Sequence, residues 1–379
     1  MSQTGLPGKG LPSKESAVTL LVGTRKGLFR IESDGSRGQW RLEGPFLAGN
    51  EILHVTRLSG TPARLLAATN HPIWGAHLFA SEDGGRDWRP LEATPQFPVG
   101  SGVPGLKAIW FLASEPQGDG VYAGIDPAGL FYSADNGQSW KPVNGLNAHP
   151  TRSRWEPARG GFSVHSIRID PRDTRRMVVA VSAGGVFRSV DRGLTWTPAN
   201  RGVRAENLPG KYPELGHNVH RVILAPSEPE RLYRQCYNGT YRSDDFGLSW
   251  TEITAGLPSD FGYALAVDPA CADTLFQVPE SGSHMRAAVD GKLRVFKSQD
   301  GGASWCSASE GLPQAHAYVS VLREAMDTDC CTPCGVYFGT TSGHVFASPD
   351  GADHWQLVAS YLPRVLCVKA LDSTLLESR

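Results

Sequence analysis

Short apolar runs separated by turns follow one another along almost the whole chain. Residues 164–200 show the repeating unit most clearly, with the runs VHSIRIDP, MVVAVS, GGVFRS and WTPAN separated by segments rich in Gly, Asp and Arg. Alternating or β-branched runs between such turns are typical of antiparallel strands joined in a meander. The unit therefore predicts a four-stranded antiparallel sheet.

The first strand of this unit occurs seven times, as EILHVTRL, LKAIWFLA, VHSIRIDP, VHRVILAP, GYALAVDP, AYVSVLRE and PRVLCVKA. The last copy has no further strands after it, whereas the N-terminal VTLLVGTRKGLFRI supplies second and third strands without a first. Pairing the two ends would close a ring and protect the sheet edges. We therefore predict an all-β fold, a single seven-bladed β-propeller over residues 17–372. Residues 1–16 are predicted to form a disordered leader, and residues 373–379 a C-terminal tail.

An octet of the form Ser-x-Asp-x-Gly-x-x-Trp follows the third strand of most units. It starts at positions 81, 133, 189, 243 and 298, with Ala in place of Gly in the copy at 348 and an eroded copy ending at Trp40. The Ser and Asp side chains can accept hydrogen bonds from turn amides, and Gly supplies a positive φ. A catalytic residue is needed once, whereas these residues recur around the ring. We therefore interpret the octet aspartates as turn residues: Asp83, Asp135, Asp191, Asp245, Asp300 and Asp350.

By these octets the chain is identified as a member of the Asp-box, or BNR-repeat, propellers. This broad group includes sialidases, xyloglucanases, sortilin-type receptors and photosystem II assembly factors. The resemblance implies the propeller fold over nearly the whole chain. It does not select a function, because enzymes, receptors and scaffolds share the repeat.

The sequence FRIE at 29–32 resembles the Phe-Arg-Ile-Pro signature whose arginine binds carboxylate in sialidases. Arg30, however, falls at a position that the repeat places on an ordinary third strand, and Glu32 replaces the proline. We therefore do not predict sialidase activity.

Composition excludes several classes of partner. Lys and Arg nearly balance Asp and Glu, giving a formal net charge of -1, so no global field attracts nucleic acid or an anionic membrane. The N-terminus shows no signal-peptide pattern and no long apolar run occurs, so we expect a cytoplasmic protein. Seven irregularly spaced cysteines indicate reduced thiols.

Alignment of the first strands predicts a ring of side chains at one mouth of the central channel. Its members are His54, Lys107, His165, His220, Tyr263, Tyr318 and Arg364. The ring contains no carboxylate, so it suits an anionic ligand. Alternatively, His54, His165 and His220 could hold a divalent metal ion. A polar, water-filled channel without a further role is the third interpretation.

Two long connections, 144–165 and 200–220, lead into the ring histidines on the same face. An active site here would use His165 or His220 for proton transfer near neutral pH, with Glu156 or Glu214 as partner. Glu280 is a third candidate carboxylate. Further candidate ligand-binding residues lie in the loops of this face: His71, Trp74, Arg154, Trp155, His217 and His284.

Two functional hypotheses follow. The first is a hydrolase or lyase that acts on a small or sugar-like anionic substrate at the channel mouth. The second is a non-catalytic scaffold that binds another protein through the Arg- and Trp-rich loops. On the opposite face, the segment DTDCCTPC contains Cys330, Cys331 and Cys334. The Cys-x-x-Cys spacing fits a metal or redox pair, but a solvent-exposed turn is the simpler interpretation.

Overall fold

Seven four-stranded antiparallel sheets form a ring in the computed structural model, which describes residues 17–59, 64–158, 160–206, 208 and 210–376. The innermost strand of each sheet contacts the innermost strand of the next, and the last of them contacts the first. The predicted seven-bladed β-propeller is therefore confirmed.

The first blade, from the innermost strand outward, consists of β28 (Val365–Asp372), β1 (Val18–Thr24), β2 (Gly27–Ser33) and β3 (Trp40–Phe46). The second blade consists of β4 (Glu51–Arg57), β5 (Leu65–His71), β6 (Gly75–Ser81) and β7 (Arg89–Pro90). The third consists of β8 (Ala108–Ser114), β9 (Val121–Asp126), β10 (Gly129–Ser133) and β11 (Lys141–Pro142). The fourth blade consists of β12 (Val164–Ile169), β13 (Met177–Val181), β14 (Gly185–Ser189) and β15 (Thr197–Pro198). The fifth consists of β16 (Val219–Leu224), β17 (Leu232–Cys236), β18 (Gly239–Ser243) and β19 (Thr251–Glu252). The sixth blade consists of β20 (Phe261–Asp268), β21 (Cys271–Glu280), β22 (Phe296–Ser298) and β23 (Cys306–Ser307). The seventh consists of β24 (Met326–Thr328), β25 (Val336–Gly339), β26 (Val345–Ser348) and β27 (Gln356–Ala359).

Helical structure is confined to short connections. The α-helix α1 spans Asn144–Asn147, and 3-10 turns span Arg152–Arg154, Val289–Gly291 and Ser373–Leu376. Among the described residues, none of these helical segments has the length and apolar character needed to cross a membrane.

The two ends of the chain close the ring as predicted. Strand β28 pairs with β1 in antiparallel register, from Val18 opposite Asp372 to Thr24 opposite Val365. Beyond β28, the buried Leu376 packs with Leu21 and Leu371. The predicted leader, residues 1–16, lies outside the described residues.

The octets perform the structural role that the repetition predicted. In the copy at 133, the hydroxyl of Ser133 donates to Asp135 at 2.7 Å, and the amide and hydroxyl of Ser139 donate to the same carboxylate at 2.9 and 2.6 Å. Burial opposes ionisation, but the hydrogen bonds from Ser139 and Ser133 lower the pKa of Asp135 below its usual value. Gly137 adopts a φ of 88°, which favours glycine, and donates its amide to Ser133. The carboxylate of Asp135 and the hydroxyl of Ser133 are thus engaged within the turn.

The seventh blade departs from the predicted pattern. The run AYVSVLRE at 317–324 was expected to be a first strand, but the paired strand there is the short β24 at Met326–Thr328. Upstream of β24, the amide of Val321 donates to the carboxylate of Glu280, and a turn from Leu322 to Ala325 interrupts the extended chain. These contacts compete with ladder pairing, so the segment enters the channel as irregular backbone.

Candidate functional site

The channel widens into one cavity at each end. The upper cavity, of about 1050 Å³, is bordered by the loops that lead into first strands and by the turns between second and third strands. The lower cavity, of about 860 Å³, is bordered by the turns between first and second strands. Glu324 lines both cavities. Its carboxylate therefore lies where the two cavities meet.

A β-bulge in the inner strands determines which side chains enter the upper cavity. Six inner strands show a register shift at the same level, which leaves one residue outside the ladder and turns its side chain toward the channel. Together with one residue of the irregular segment, these form a ring that lines the upper cavity: Leu53, Trp110, His165, His220, Tyr263, Leu322 and Leu366.

Of the predicted ring, His165, His220 and Tyr263 occupy bulge positions, and His54, Lys107 and Tyr318 lie outside the lining of the upper cavity. His54 follows the bulge residue of β4 and lines the lower cavity. Lys107 precedes β8 and is exposed, and Tyr318 is 62% exposed. Arg364 precedes β28 and is also exposed, yet it still lines the rim of the upper cavity.

His165 and His220 are both buried. The Nδ1 atom of His220 donates to the carbonyl of Gly262 at 2.6 Å, and its ring contacts Tyr263 with centroids 4.5 Å apart. Burial, reinforced by the charge of Arg323, lowers the pKa of His220 to about 3 and that of His165 well below its usual value. Both imidazoles are therefore neutral near pH 7. Such pKa values do not favour the predicted proton transfer near neutral pH, although hydrogen bonding by neutral rings remains available.

The predicted metal site is wrong. His54 lies against Phe111, with ring centroids 4.1 Å apart, and its Nε2 atom is 4.0 Å from Oε2 of Glu324. It lines the lower cavity, whereas His165 and His220 line the upper one. Among the residues that the structure describes, no three His, Cys, Asp or Glu side chains come together in a way that could hold a metal ion.

Two predicted ligand-binding residues instead stabilise their own loops. Trp155 is only 5% exposed and packs on Phe187, with ring centroids 4.9 Å apart, so its ring is not available to stack on a sugar. His217 is buried, and its Nε2 atom donates to the carbonyl of Pro213 at 2.7 Å. Burial lowers the pKa of His217 to about 4.

The other predicted loop residues divide by position. Glu156 lines the upper cavity. The remaining candidates are exposed or half-buried and lie outside its lining: Glu214, Arg154, His71, Trp74 and His284. Trp74 is 72% exposed and stacks on His71 at a centroid distance of 6.3 Å. Of the two carboxylates expected to be catalytic, the structure thus brings only Glu156 to the cavity.

The sequence reasoning missed two charged residues of the cavity floor, Arg323 and Glu324. Both follow from the irregular segment of the seventh blade, which the repeat alignment treated as an ordinary strand. Glu280 supports this segment from behind. It is fully buried and accepts from the hydroxyl of Ser320 at 3.2 Å and from the amide of Val321 at 3.3 Å, and burial raises its pKa to about 7.

The cysteine segment lies at the lower cavity, on the face opposite the long loops, as predicted. Cys330 and Cys331 line that cavity, and Cys334 is buried beside them. All three are in the thiol form and none is part of a disulfide among the described residues. Burial raises the pKa of Cys334, and that of Cys331 to about 11, so neither is a thiolate near neutral pH. The geometry favours the interpretation as a structural turn.

Fold, repeat and cavity together define a seven-bladed Asp-box β-propeller. The BNR/Asp-box repeat family model matches residues 131–142. The chain is 25% identical over 287 residues to a xyloglucanase of Acetivibrio thermocellus, an alignment that covers 68% of this chain and 32% of the relative. It is 35% identical over 278 residues to an oligoxyloglucan-reducing end-specific xyloglucanase of Emericella nidulans, covering 62% and 31%. The chain thus spans about a third of the length of these relatives.

Solved structures confirm the fold. A GH74 enzyme of Niastella koreensis matches with a TM-score of 0.61 at 17% identity, over 90% of this chain and 52% of that one. A Bacteroides fragilis protein provisionally assigned as a 6-phosphogluconolactonase matches with a TM-score of 0.57 at 12% identity, over 95% and 99%. At these identities the likeness concerns the fold alone.

Proposed function

We propose that this propeller binds a sugar chain in the upper cavity and hydrolyses a glycosidic bond there. The observation that carries the proposal is the composition of the cavity wall, in which Trp110, Tyr237 and Tyr263 lie together with Glu156 and Glu324. Aromatic rings pack against the apolar faces of sugars, and glycoside hydrolysis ordinarily uses a pair of carboxyl groups. The similarity to xyloglucanases supports the same class of substrate.

Glu156 and Glu324 are the carboxyl groups best placed for this chemistry. Glu156 is exposed on the cavity wall and, within the described part of the chain, has no ion-pair partner. Glu324 is buried at the floor, where its Oε1 atom has no hydrogen-bond donor and its Oε2 atom lies 3.6 Å from Nη2 of Arg221. The third carboxylate of the cavity, Glu51, is held by Arg25 at 2.7 Å. We assign one of the first two to protonate the leaving oxygen and the other to assist the attack on the sugar.

The test is release of new reducing ends from xyloglucan and from a panel of defined oligosaccharides, with mass spectrometry to detect the added water. We expect E156Q and E324Q each to lower kcat by about a hundredfold or more. E214Q, an exposed glutamate outside the cavity, is the matched control and retains activity. Trp110→Ala should raise KM, whereas Trp74→Ala should not. The proposal fails if no sugar in the panel binds, or if folded E156Q and E324Q both cleave as fast as E214Q.

A protein scaffold is the second candidate. The observation that favours it is the exposed pair Ile73 and Trp74 on the upper face, which are 76% and 72% exposed and lie outside the cavity. Exposed apolar and aromatic side chains of this kind often mark protein contacts. Under this alternative, Trp74→Ala should abolish binding of a protein partner, whereas Glu156→Gln should leave that binding unchanged.

A further inference from the structure

The floor of the upper cavity contains a cationic side chain that the fold leaves without an ionic partner. Arg323 lines the cavity, and its guanidinium lies 5.5 Å from the ring centroid of Trp110. Within the described residues, the guanidinium forms no ion pair and donates no hydrogen bond to another side chain or carbonyl. Two other arginines of the channel are engaged: Arg221 donates to the carbonyl of Met326 at 3.0 Å, and Arg168 to that of Val222 at 2.8 Å.

Charges of both signs surround Arg323, because Glu156 and Glu324 line the same cavity and the charge of Glu324 opposes that of Arg286 at its guanidinium. Arg286 and Arg364 also line the upper cavity. The nearest carboxylate along the chain, Glu324, has its Oε2 atom directed to Arg221 on the side of the lower cavity. His165 and His220 are neutral near pH 7, and His165 keeps its Nε2 atom buried without a partner. The floor thus offers one guanidinium and one free imidazole nitrogen.

Partial burial of a cation that has no ion-pair partner is unfavourable, and burial lowers the pKa of Arg323 although the charge of Glu324 opposes the shift. An anionic ligand would reverse this cost. Among side chains, the planar guanidinium is the best matched to a carboxylate, because it can donate two parallel hydrogen bonds. The remaining wall, with Trp110 and Tyr263, suits the ring that carries such a carboxylate.

We propose that the upper cavity selects acidic sugars, and that Arg323 binds the carboxylate of a uronic acid residue. This inference rests on the proposed binding of a sugar in the same cavity. It makes Arg323 a specificity-determining residue, in addition to the carboxyl groups assigned to bond cleavage.

The experiment compares three matched ligands by calorimetry with wild-type protein: a short uronic acid oligosaccharide, its methyl ester, and the neutral oligosaccharide of the same length and linkage. A charge-assisted hydrogen bond contributes enough that the free acid should bind about tenfold to a hundredfold more tightly than the ester. Arg323→Gln should remove this preference, so that the free acid and its methyl ester bind the variant with equal affinity. Arg154→Gln, an exposed arginine outside the cavity, should keep the preference.

The outcomes separate the two proposals. Equal binding of the acid and the ester by wild-type protein overturns the acidic-sugar inference, and it does so even if Arg323→Gln fails to fold. An Arg323→Gln variant that keeps the preference overturns the role of Arg323. Tighter binding of a sulfated sugar than of the uronate also overturns the carboxylate assignment. If the neutral sugar binds and is cleaved, and the free acid binds no more tightly than its ester, the proposed hydrolase activity is retained and the acidic-sugar inference fails. If no sugar binds, the proposed function fails.

Discussion

Replacing His220 with glutamine should make the protein less sensitive to acid. In the folded protein, burial and the charge of Arg323 lower the pKa of His220 to about 3, whereas a histidine in the unfolded chain has a pKa near 6.5. Below about pH 6.5 the unfolded chain therefore binds a proton that the folded protein excludes. The stability associated with a neutral His220 is present above the unfolded pKa and is lost as the pH falls toward the folded value.

The size of this effect follows from the two pKa values. Between about pH 7 and about pH 4.5, the excess protonation of the unfolded state costs the folded protein about 2.5 kcal/mol for this one residue. Glutamine cannot titrate and retains an N–H group that can donate to the carbonyl of Gly262, which His220 contacts at 2.6 Å. His54, His165 and His217 also have lowered pKa values and titrate in both proteins. The informative quantity is therefore the difference in the free energy of unfolding between wild type and variant at each pH.

Urea unfolding at a series of pH values measures this difference. H220Q should be less stable than wild type near neutral pH, because the ring packed on Tyr263 is lost. The difference in the free energy of unfolding between the two proteins should narrow by about 2.5 kcal/mol on acidification. H354Q is the control: His354 is exposed and bonded to Asp350 at 2.8 Å, which raises its pKa, so its contribution is present in acid and lost as the pH rises. The reasoning is refuted if H220Q and wild type lose equal stability between the two pH values.

Three further predictions concern the scaffold. Asp135→Ala removes the acceptor of the hydrogen bonds from Ser133 and Ser139 and should lower the free energy of unfolding by about 1–2 kcal/mol, measured by urea unfolding, without changing kcat. Trp155→Ala should destabilise by about 3 kcal/mol, since the ring is buried, and protease cleavage within 144–163 should become faster. Truncation after Pro363 removes β28 and leaves β1 paired on one side only, so calorimetry should show loss of the single cooperative transition; an unchanged transition would contradict ring closure by β28.

The architecture could be predicted because each of its determinants recurs. A strand pattern met once is ambiguous, but seven copies in the same order define the blade, and the incomplete units at the two ends predict their own pairing. The same recurrence identified Asp135 as a turn residue and placed Arg30 on an ordinary strand. Arg30 is indeed buried on β2, where its Nη1 atom lies 3.3 Å from Glu43.

The channel-facing ring could be predicted only in part, because its register depends on a β-bulge. A bulge adds one residue to one strand, so every side chain beyond it changes face, and an alignment by apolar residues alone does not detect the shift. His54 shows the consequence. It was aligned with His165 and His220, yet Leu53 is the residue that occupies their level, and His54 faces the lower cavity.

The charged floor of the cavity could not be predicted for a different reason. Arg323 and Glu324 lie in a run whose apolar pattern matches a strand, but in the structure a turn from Leu322 to Ala325 and a long-range contact take the place of ladder pairing. That contact is the carboxylate of Glu280, which is distant in sequence and takes the amide of Val321 out of the ladder. A buried carboxylate that binds backbone in place of a neighbouring strand costs ladder hydrogen bonds. The irregular segment that Glu280 holds places Arg323 and Glu324 at the floor of the upper cavity.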